Sequence, residues 1–321
     1  MKIIDFENIK RISESMDPIE YYGWVEFALK NKADFILPPK SRISQKAGDY
    51  YNIMPVLYEK ENIACVKMIG RHSIKQKESR SVMMGDILLY EADTGILKAL
   101  MDAEFITTLR TGVVAAHSAL LFARKNFSTI GLIGLGNIMT VCYQTIIKKI
   151  RESGDNRKLT IKLYKHHKQE KRFISRFSDY ANIEYVLCDT YEEVMLDSDI
   201  IISAVTQRET DFANDSVYKE GVTIVPICTM GFQNCDLFFD KVFTDEIEQI
   251  KGFKYFDRFN SLANVSDVIN GLVPGRETEE ERILVYDYGI GIHDLFFAMK
   301  FYELAERNEV EYRYCKEKYF M

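Results

Sequence analysis

Residues 129–139 read TIGLIGLGNIM, an apolar run holding Ile130, Leu132 and Ile133 that flows into Gly134-x-Gly136 and then into a helical pattern. Glycines at that spacing suit a turn that cradles a pyrophosphate. Gly134 permits a tight bend, and Gly136 lets the backbone approach the phosphates. The following helix, opening with Asn137 and Ile138, aims unpaired N–H groups and its positive dipole end at them. Met139 stands where a third small residue is expected, so the same stretch also suits an ordinary strand, turn and helix in which the glycines only shape a bend.

The next strand ends in IKLYKHHKQ, which puts Lys165, His166 and His167 where an NAD-preferring turn carries an acidic residue for the ribose hydroxyls. A carboxylate there repels a 2′-phosphate, whereas lysine and imidazole attract it. The pattern predicts NADP(H), with NAD(H) as the alternative. A solvated charged loop would account for the run but not for the missing acid. Ala204, Val205 and Thr206 close a later strand, at the carboxyl end where ligands of such sheets bind.

These residues need a frame. From residue 128, strand signals at 129–133, 160–164, 183–187, 200–204 and 222–227 alternate with helical ones to about 152 and at 169–179. This pattern implies an α/β fold with a doubly wound parallel sheet. The first hundred residues read as mixed α and β, with a helix near 21–31 and extended segments at 50–57, 63–69 and 87–91. Asp93-Thr94-Gly95 between two apolar runs predicts a hairpin. Small and apolar positions from Val113 to Ala123 suit a close-packed helix over 103–125, and another long helix is expected from about 292.

The 321 residues are 47% hydrophobic and 28% charged with a net charge of −6, which fits a globular chain with a substantial core and argues against general nucleic-acid affinity. The Lys165–Arg172 cluster carries no nucleic-acid recognition motif. Six cysteines lack metal-ligand spacing, and the histidines offer none either, so free buried thiols and no metal are expected. No secretory leader is apparent, and no run approaches the ~20 apolar residues of a membrane span, so a cytoplasmic protein is expected.

Five ordered segments together resemble the ornithine cyclodeaminase/mu-crystallin family. They are VKMIG with Lys67, MDAEFITTLRTGVVAAHSALLFARK with Arg110 and Thr111, IGLIGLGNI, DIIISAVT, and PGRETEEERILVYDYGIGIHDLFFA. The segments around CTMGFQNCDLFFDKVFTDE and PGRE are most similar to the siderophore-pathway branch, the N-(2-amino-2-carboxyethyl)-glutamate dehydrogenases. The resemblance implies a Rossmann dinucleotide-binding domain, 116–291, inserted into an α+β substrate-binding and dimerisation domain, 1–115 plus 292–321. The active site would lie in the cleft between them, in a homodimer.

The same resemblance implies the chemistry: making or breaking a carbon–nitrogen bond beside a carboxylate, through an imine, with nicotinamide. Arg110 matches the family's carboxylate-binding arginine, a task suited to a planar guanidinium that gives two parallel hydrogen bonds. Otherwise it is a solvated arginine near a helix start. Lys67 would exchange a proton with nitrogen or water; otherwise it is an exposed strand-edge lysine. Arg42 matches a second carboxylate-contacting arginine, while Thr111 and Ala204–Thr206 match cofactor contacts. Asp294 either orients Lys67 or a water, or caps the last helix.

Cyclodeaminases carry an aspartate for the substrate's side-chain amine where Met230 or Gly231 stands here, with Asp236 or Asp245 as possible substitutes. An oxidoreductase acting on a small amino or imino acid is therefore the leading expectation. A cyclodeaminase-type lyase with internally recycled cofactor is the second, and a non-catalytic cofactor-binding protein the third.

Overall fold

The computed structural model describes residues 1–45, 48–73, 82–205, 210–227, 231–232, 238–306 and 310–314. Thr206, Met230, Asp236, Cys228, Cys235 and Cys315 lie outside the described residues. The chain divides into two compact units, Met1–Met16 with Ala33–Thr107 and Gly291–Met321, and Asp17–Lys32 with Thr108–Ile290.

The first unit is a sheet of β1 (Lys2–Ile4), β2 (Phe35–Ile36), β3 (Ser41–Ser44), β4 (Tyr50–Tyr58), β5 (Ile63–Arg71), β6 (Met83–Glu91) and β7 (Leu97–Asp102). Its order is β1-β7-β6-β5-β4-β2, with β3 also paired to β4. Strands β4 to β7 form an antiparallel meander whose β6–β7 hairpin turns at Asp93-Thr94-Gly95, Gly95 adopting φ +70°. Alternation along β5 buries Ile63, Cys65, Lys67 and Ile69 on one face. The Gly291–Leu304 helix packs on that face so closely that a Cβ on Gly291 would stand 2.3 Å from Val56.

The second unit is a parallel sheet of β8 (Thr129–Ile133), β9 (Leu159–Tyr164), β10 (Ile183–Cys188), β11 (Ile200–Ser203), β12 (Thr223–Pro226), β13 (Lys241–Thr244), β14 (Leu262–Asn264) and β15 (Ile283–Tyr286). The order β10-β9-β8-β11-β12-β15-β13-β14 gives the doubly wound pattern of a Rossmann sheet, extended at one edge. Every residue of β11, β12 and β15 is buried, the continuous apolar run expected of strands covered on both faces.

The division of the chain departs from the expected boundaries. The Pro18–Lys30 helix buries Tyr21, Tyr22, Val25, Ala28 and Leu29. It belongs to the second unit because Tyr22 packs 4.9 Å from the His117 ring and Lys32 Nζ reaches the Asp245 carbonyl at 2.6 Å. The Ala103–Phe122 helix crosses from one unit to the other after Thr107. This helix is also long and apolar enough by composition to span a bilayer, which the sequence pattern was not expected to provide. However, 67% of its apolar window is buried within the protein.

Candidate active site

At the end of β8, Gly134 turns the chain at φ +83°, and a Cβ there would stand 2.8 Å from the Ala204 carbonyl and 3.0 Å from Val205 N. Only glycine fits between these adjoining strand ends, where Ala204 N–H bonds the Ile133 carbonyl at 2.8 Å. Gly136 is the N-cap of the Asn137–Glu152 helix, and a Cβ there would meet nothing within 4 Å. Its first turn holds no acidic residue, and its first N–H to close the ladder is that of Thr140, on the Gly136 carbonyl. The N–H groups of Asn137 and Ile138 therefore remain available at the positive helix end, with open space above Gly136, as a pyrophosphate requires.

Met139 is fully buried in the place of the third small residue. Close helix packing is supplied from the opposite partner instead: a Cβ on Gly112 would stand 2.7 Å from the Ile138 carbonyl and from Val141 Cβ.

Lys165 follows β9 and is ion-paired with Asp189, which follows the adjacent β10. That pairing raises the lysine's pKa above its ordinary value. His166 and His167 are exposed, their rings 4.1 Å apart, and His167 adopts φ 48°. His166 N–H donates to Glu170 Oε2 at 3.3 Å, which fixes the backbone at this strand end.

In the first unit, Lys67 Nζ lies 2.7 Å from Asp294 Oδ2 and 3.4 Å from Thr107 Oγ1, and neither side chain of the ion pair is exposed. Asp294 lies inside the first turn of the Gly291–Leu304 helix and its carboxylate meets Lys67. A buried ammonium of this kind is tolerated only with a partner of opposite charge. Cys65, two residues away on the same face, is a free thiol whose pKa burial pushes up. Cys142 and Cys188 are likewise buried and free.

Arg110 is buried in the second unit, and a Cβ on Gly289 would stand 3.1 Å from its Nη1. Gly289 N–H donates to Asp245 Oδ2 at 2.6 Å, and Ser118 Oγ donates to Asp287 Oδ1 at 3.0 Å. Asp245 and Asp287 directly follow the neighbouring strands β13 and β15, whose register pairs Thr244 with Tyr286. Burial, then the charge of Asp245, hold the Asp287 carboxyl well above the ordinary carboxylate range, against the pull of Ser118 and Arg110. Thr111, next to Arg110, is half-buried.

Residues 4–309 match the model of the ornithine cyclodeaminase/mu-crystallin family. The chain belongs to this family. It is 26% identical over 317 residues to an alanine dehydrogenase of Archaeoglobus fulgidus, covering 94% of this chain and 93% of the relative. It is 23% identical over 299 residues to the N-((2S)-2-amino-2-carboxyethyl)-L-glutamate dehydrogenase of Staphylococcus aureus, covering 86% and 87%. Among solved structures, the Thermococcus litoralis Delta(1)-pyrroline-2-carboxylate reductase in complex with NADH and L-proline superposes with a TM-score of 0.81. That pair is 22% identical and covers 94% of this chain and 97% of that one.

Of the two positions that the resemblance matches to the cyclodeaminase aspartate, Met230 lies outside the described residues and the other is Gly231. Its φ is +90° and a Cβ there would stand 2.2 Å from the Phe212 ring, so no aspartate fits that position. Asp245, the described substitute, is buried with one carboxylate oxygen committed to Gly289 N–H. Arg42 sits on β3, exposed, its guanidinium 4.1 Å over the Tyr50 ring and its Nε donating to Asn52 Oδ1 at 3.0 Å. Thr107 and Asp287 were not singled out by spacing. Thr107 lies one helical turn before Thr111 in the ITTLRTG run, and Asp287 ends an apolar strand, which are the only local signals either one offers.

Proposed function

We propose that this protein is an NAD(P)H-dependent oxidoreductase that acts on the carbon–nitrogen bond of a small amino or imino acid through an imine. The observation that carries the reading is the β8 turn, where Gly134 is sterically obligatory and Gly136 leaves open the space a pyrophosphate takes. Family membership and relatives named as amino-acid dehydrogenases and an imino-acid reductase support it.

Gly134, Gly136, Asn137 and Ile138 hold the dinucleotide phosphates, with Thr111, Ala204, Val205 and Thr206 toward the nicotinamide end. A dinucleotide held by these residues would supply hydride transfer at the amino-bearing carbon. Arg110 binds the substrate carboxylate through its two-pronged guanidinium. Lys67 exchanges a proton with the imine nitrogen or the attacking water, and Asp294 acts through Lys67 by fixing its ammonium. NADP(H) is the preferred cofactor: His166 and His167 lie exposed beside Lys165, although Asp189 shares the lysine's charge.

The protein works in the cytoplasm as a homodimer. Register places Ile36, Ile43, Met68 and Met84 on the outer face of the first unit's sheet, with exposures of 50%, 53%, 42% and 43%. An apolar sheet face of this extent calls for a covering surface. Light scattering should give twice the chain mass; a monomer at micromolar concentration would remove the dimer.

The deciding experiment is a paired titration of cofactor-free protein with NADPH and NADH by nicotinamide fluorescence, followed by an imine screen read as NADPH oxidation. Tighter NADPH binding, lost in the Lys165→Asp/His166→Ala variant, is expected. Tighter NADH binding overturns the cofactor preference. Ammonia release from ornithine or lysine without net NADPH formation overturns the oxidoreductase in favour of the lyase, and no binding of either cofactor overturns both.

A further inference from the structure

In the reading above Lys67 exchanges a proton with the substrate, yet its side chain is fully buried. Its ammonium stands 2.7 Å from Asp294 Oδ2, in a pair with neither side chain exposed. Swinging the lysine out to meet a substrate would take both the cation and its hydrogen bond away from a buried carboxylate, which is strongly unfavourable. A proton can leave while the side chain stays in place if a neighbouring group carries it onward.

Thr107 is placed to do this. Its Oγ1 lies 3.4 Å from Lys67 Nζ, and Thr107 is half-buried, whereas Asp294 is fully buried. Catalytic hydrogen bonds are often this long before substrate binds and tighten in the complex. A hydroxyl both accepts and donates, which an ionised carboxylate does not. The helix start holds Thr107 in position: Asp102 Oδ1 accepts the Phe105 N–H at 2.8 Å, and Ile106 is fully buried. Threonine is also branched at Cβ, which restricts its χ1. Along the Ala103–Phe122 helix, Thr107, Arg110 and Thr111 follow at i, i+3 and i+4, the spacing that puts side chains on one face. The last two are the residues assigned above to the substrate carboxylate and the nicotinamide end.

We propose that the Thr107 hydroxyl is a catalytic proton relay, which touches the imine nitrogen and passes the Lys67 proton to it. This rests on the oxidoreductase reading above. The Thr107 O–H bond breaks as an N–H bond forms on the imine, and the Thr107 oxygen takes one proton from Lys67 Nζ. Lys67 is left as a neutral amine that keeps an N–H on Asp294, and the positive charge has moved to an iminium one hydroxyl away. Reduction of that C=N bond then consumes the relayed proton and one hydride from a reduced nicotinamide, which is oxidised. Lys67 regains its proton from water through the same hydroxyl once product has left.

The test compares Thr107→Val, which keeps the branched shape and loses the hydroxyl, with Thr107→Ser, which keeps the hydroxyl. In the full chain carrying isotope-labelled lysine, without cofactor, exchange of the Lys67 ammonium protons with water is read by NMR, the signal being assigned by its loss in Lys67→Met. Exchange is expected to slow at least about tenfold in Thr107→Val and to recover in Thr107→Ser. With Delta(1)-pyrroline-2-carboxylate as the imine probe, kcat for NADPH oxidation should fall about 100-fold in Thr107→Val and recover in Thr107→Ser. KM, NADPH affinity and melting temperature should stay unchanged in both. Unaltered exchange or turnover in Thr107→Val, or a serine variant as slow as the valine one, overturns the relay and leaves the oxidoreductase standing. A parent protein that binds NADPH but reduces neither this imine nor the one formed from pyruvate and ammonia overturns the oxidoreductase reading, and the acceptor of the relayed proton with it.

Discussion

Lys67 Nζ and Asp294 Oδ2 stand 2.7 Å apart with neither side chain exposed, so each charge offsets the burial of the other. Removing one partner of a buried pair costs about 3–5 kcal/mol, because the survivor keeps its desolvation penalty, while replacing both by apolar groups is often neutral. Lys67→Met is therefore expected to lower stability in urea by that amount, and Lys67→Met/Asp294→Leu to recover most of it. Both variants should bind NADPH and lack turnover. Asp294→Asn should still turn over, with a shifted pH profile, since an amide can orient the amine but not share its proton. Full activity in the double variant would remove Lys67 from the chemistry.

The two glycines of the β8 turn should separate folding from binding. Gly134→Ala adds a Cβ 2.8 Å from the Ala204 carbonyl in a backbone at φ +83°, so it should destabilise the protein by about 2 kcal/mol or more. Gly136→Ala meets nothing within 4 Å and has a negative φ, so its melting temperature should match that of the parent. Its methyl group would project toward the space assigned to the pyrophosphate, and NADPH affinity should fall at least about tenfold. Unchanged affinity in Gly136→Ala would put the phosphates elsewhere.

Much of this was legible in the sequence, and the rest was not, for identifiable reasons. The Rossmann strands announce themselves because strands buried on both faces read as unbroken apolar runs, as in Ile200–Ile202, and the DTG hairpin because its turn chemistry is local. Strands β1 to β3 are too short to show a period, and exist because longer neighbours pair with them. The insertion of β15 between β12 and β13, and the docking of the Pro18–Lys30 helix in the second unit, depend on partners far away in the chain. In the site, alternation in β5 indicates a defined face for Lys67, yet the choice between partner and cap for Asp294 required the helix start at Gly291. Asp287 beside Arg110 could not be read at all, because nothing local links a strand end to a helix encoded so much earlier.

Asp287 should leave a mark on the pH dependence of stability. Its native pKa is held well above the ordinary value, so the folded chain keeps a proton that the unfolded chain releases. Stability from this group is therefore full below the unfolded pKa of about 4 and declines as pH rises toward the native pKa, by up to about 1.4 kcal/mol per unit. His117 works in the opposite sense: burial lowers its pKa to about 4, so stability is lost as pH falls below about 6.5. Asp287→Asn, permanently neutral and similar in shape, should gain stability relative to the parent as pH is raised from 4 to 8 in urea denaturation. Parallel curves would mean that Asp287 is ionised in the native state.

Arg276, in the PGRE segment that helped to reveal the family, is a structural clasp. Its Nε donates to the Phe122 carbonyl at 2.9 Å, and its Nη2 donates to the Gly221 carbonyl at 3.1 Å and Thr223 Oγ1 at 3.0 Å. Its Nη1 donates to the Glu281 carbonyl. One planar fork thus ties the end of the Ala103–Phe122 helix to the start of β12 and to the loop before β15. Arg276→Ala would take this donor from the Gly221 and Glu281 carbonyls, while Phe122 O keeps Thr223 Oγ1, for an expected loss of about 3 kcal/mol. Lysine should restore less than half, because a single ammonium cannot reach all four of these acceptors. Urea midpoints of the two variants check this, with NADPH affinity as the control: a clasp that only supports the fold changes the midpoint and leaves the affinity of the folded protein intact. An unfolding free energy for Arg276→Ala within about 0.5 kcal/mol of the parent would show that these carbonyls find other donors.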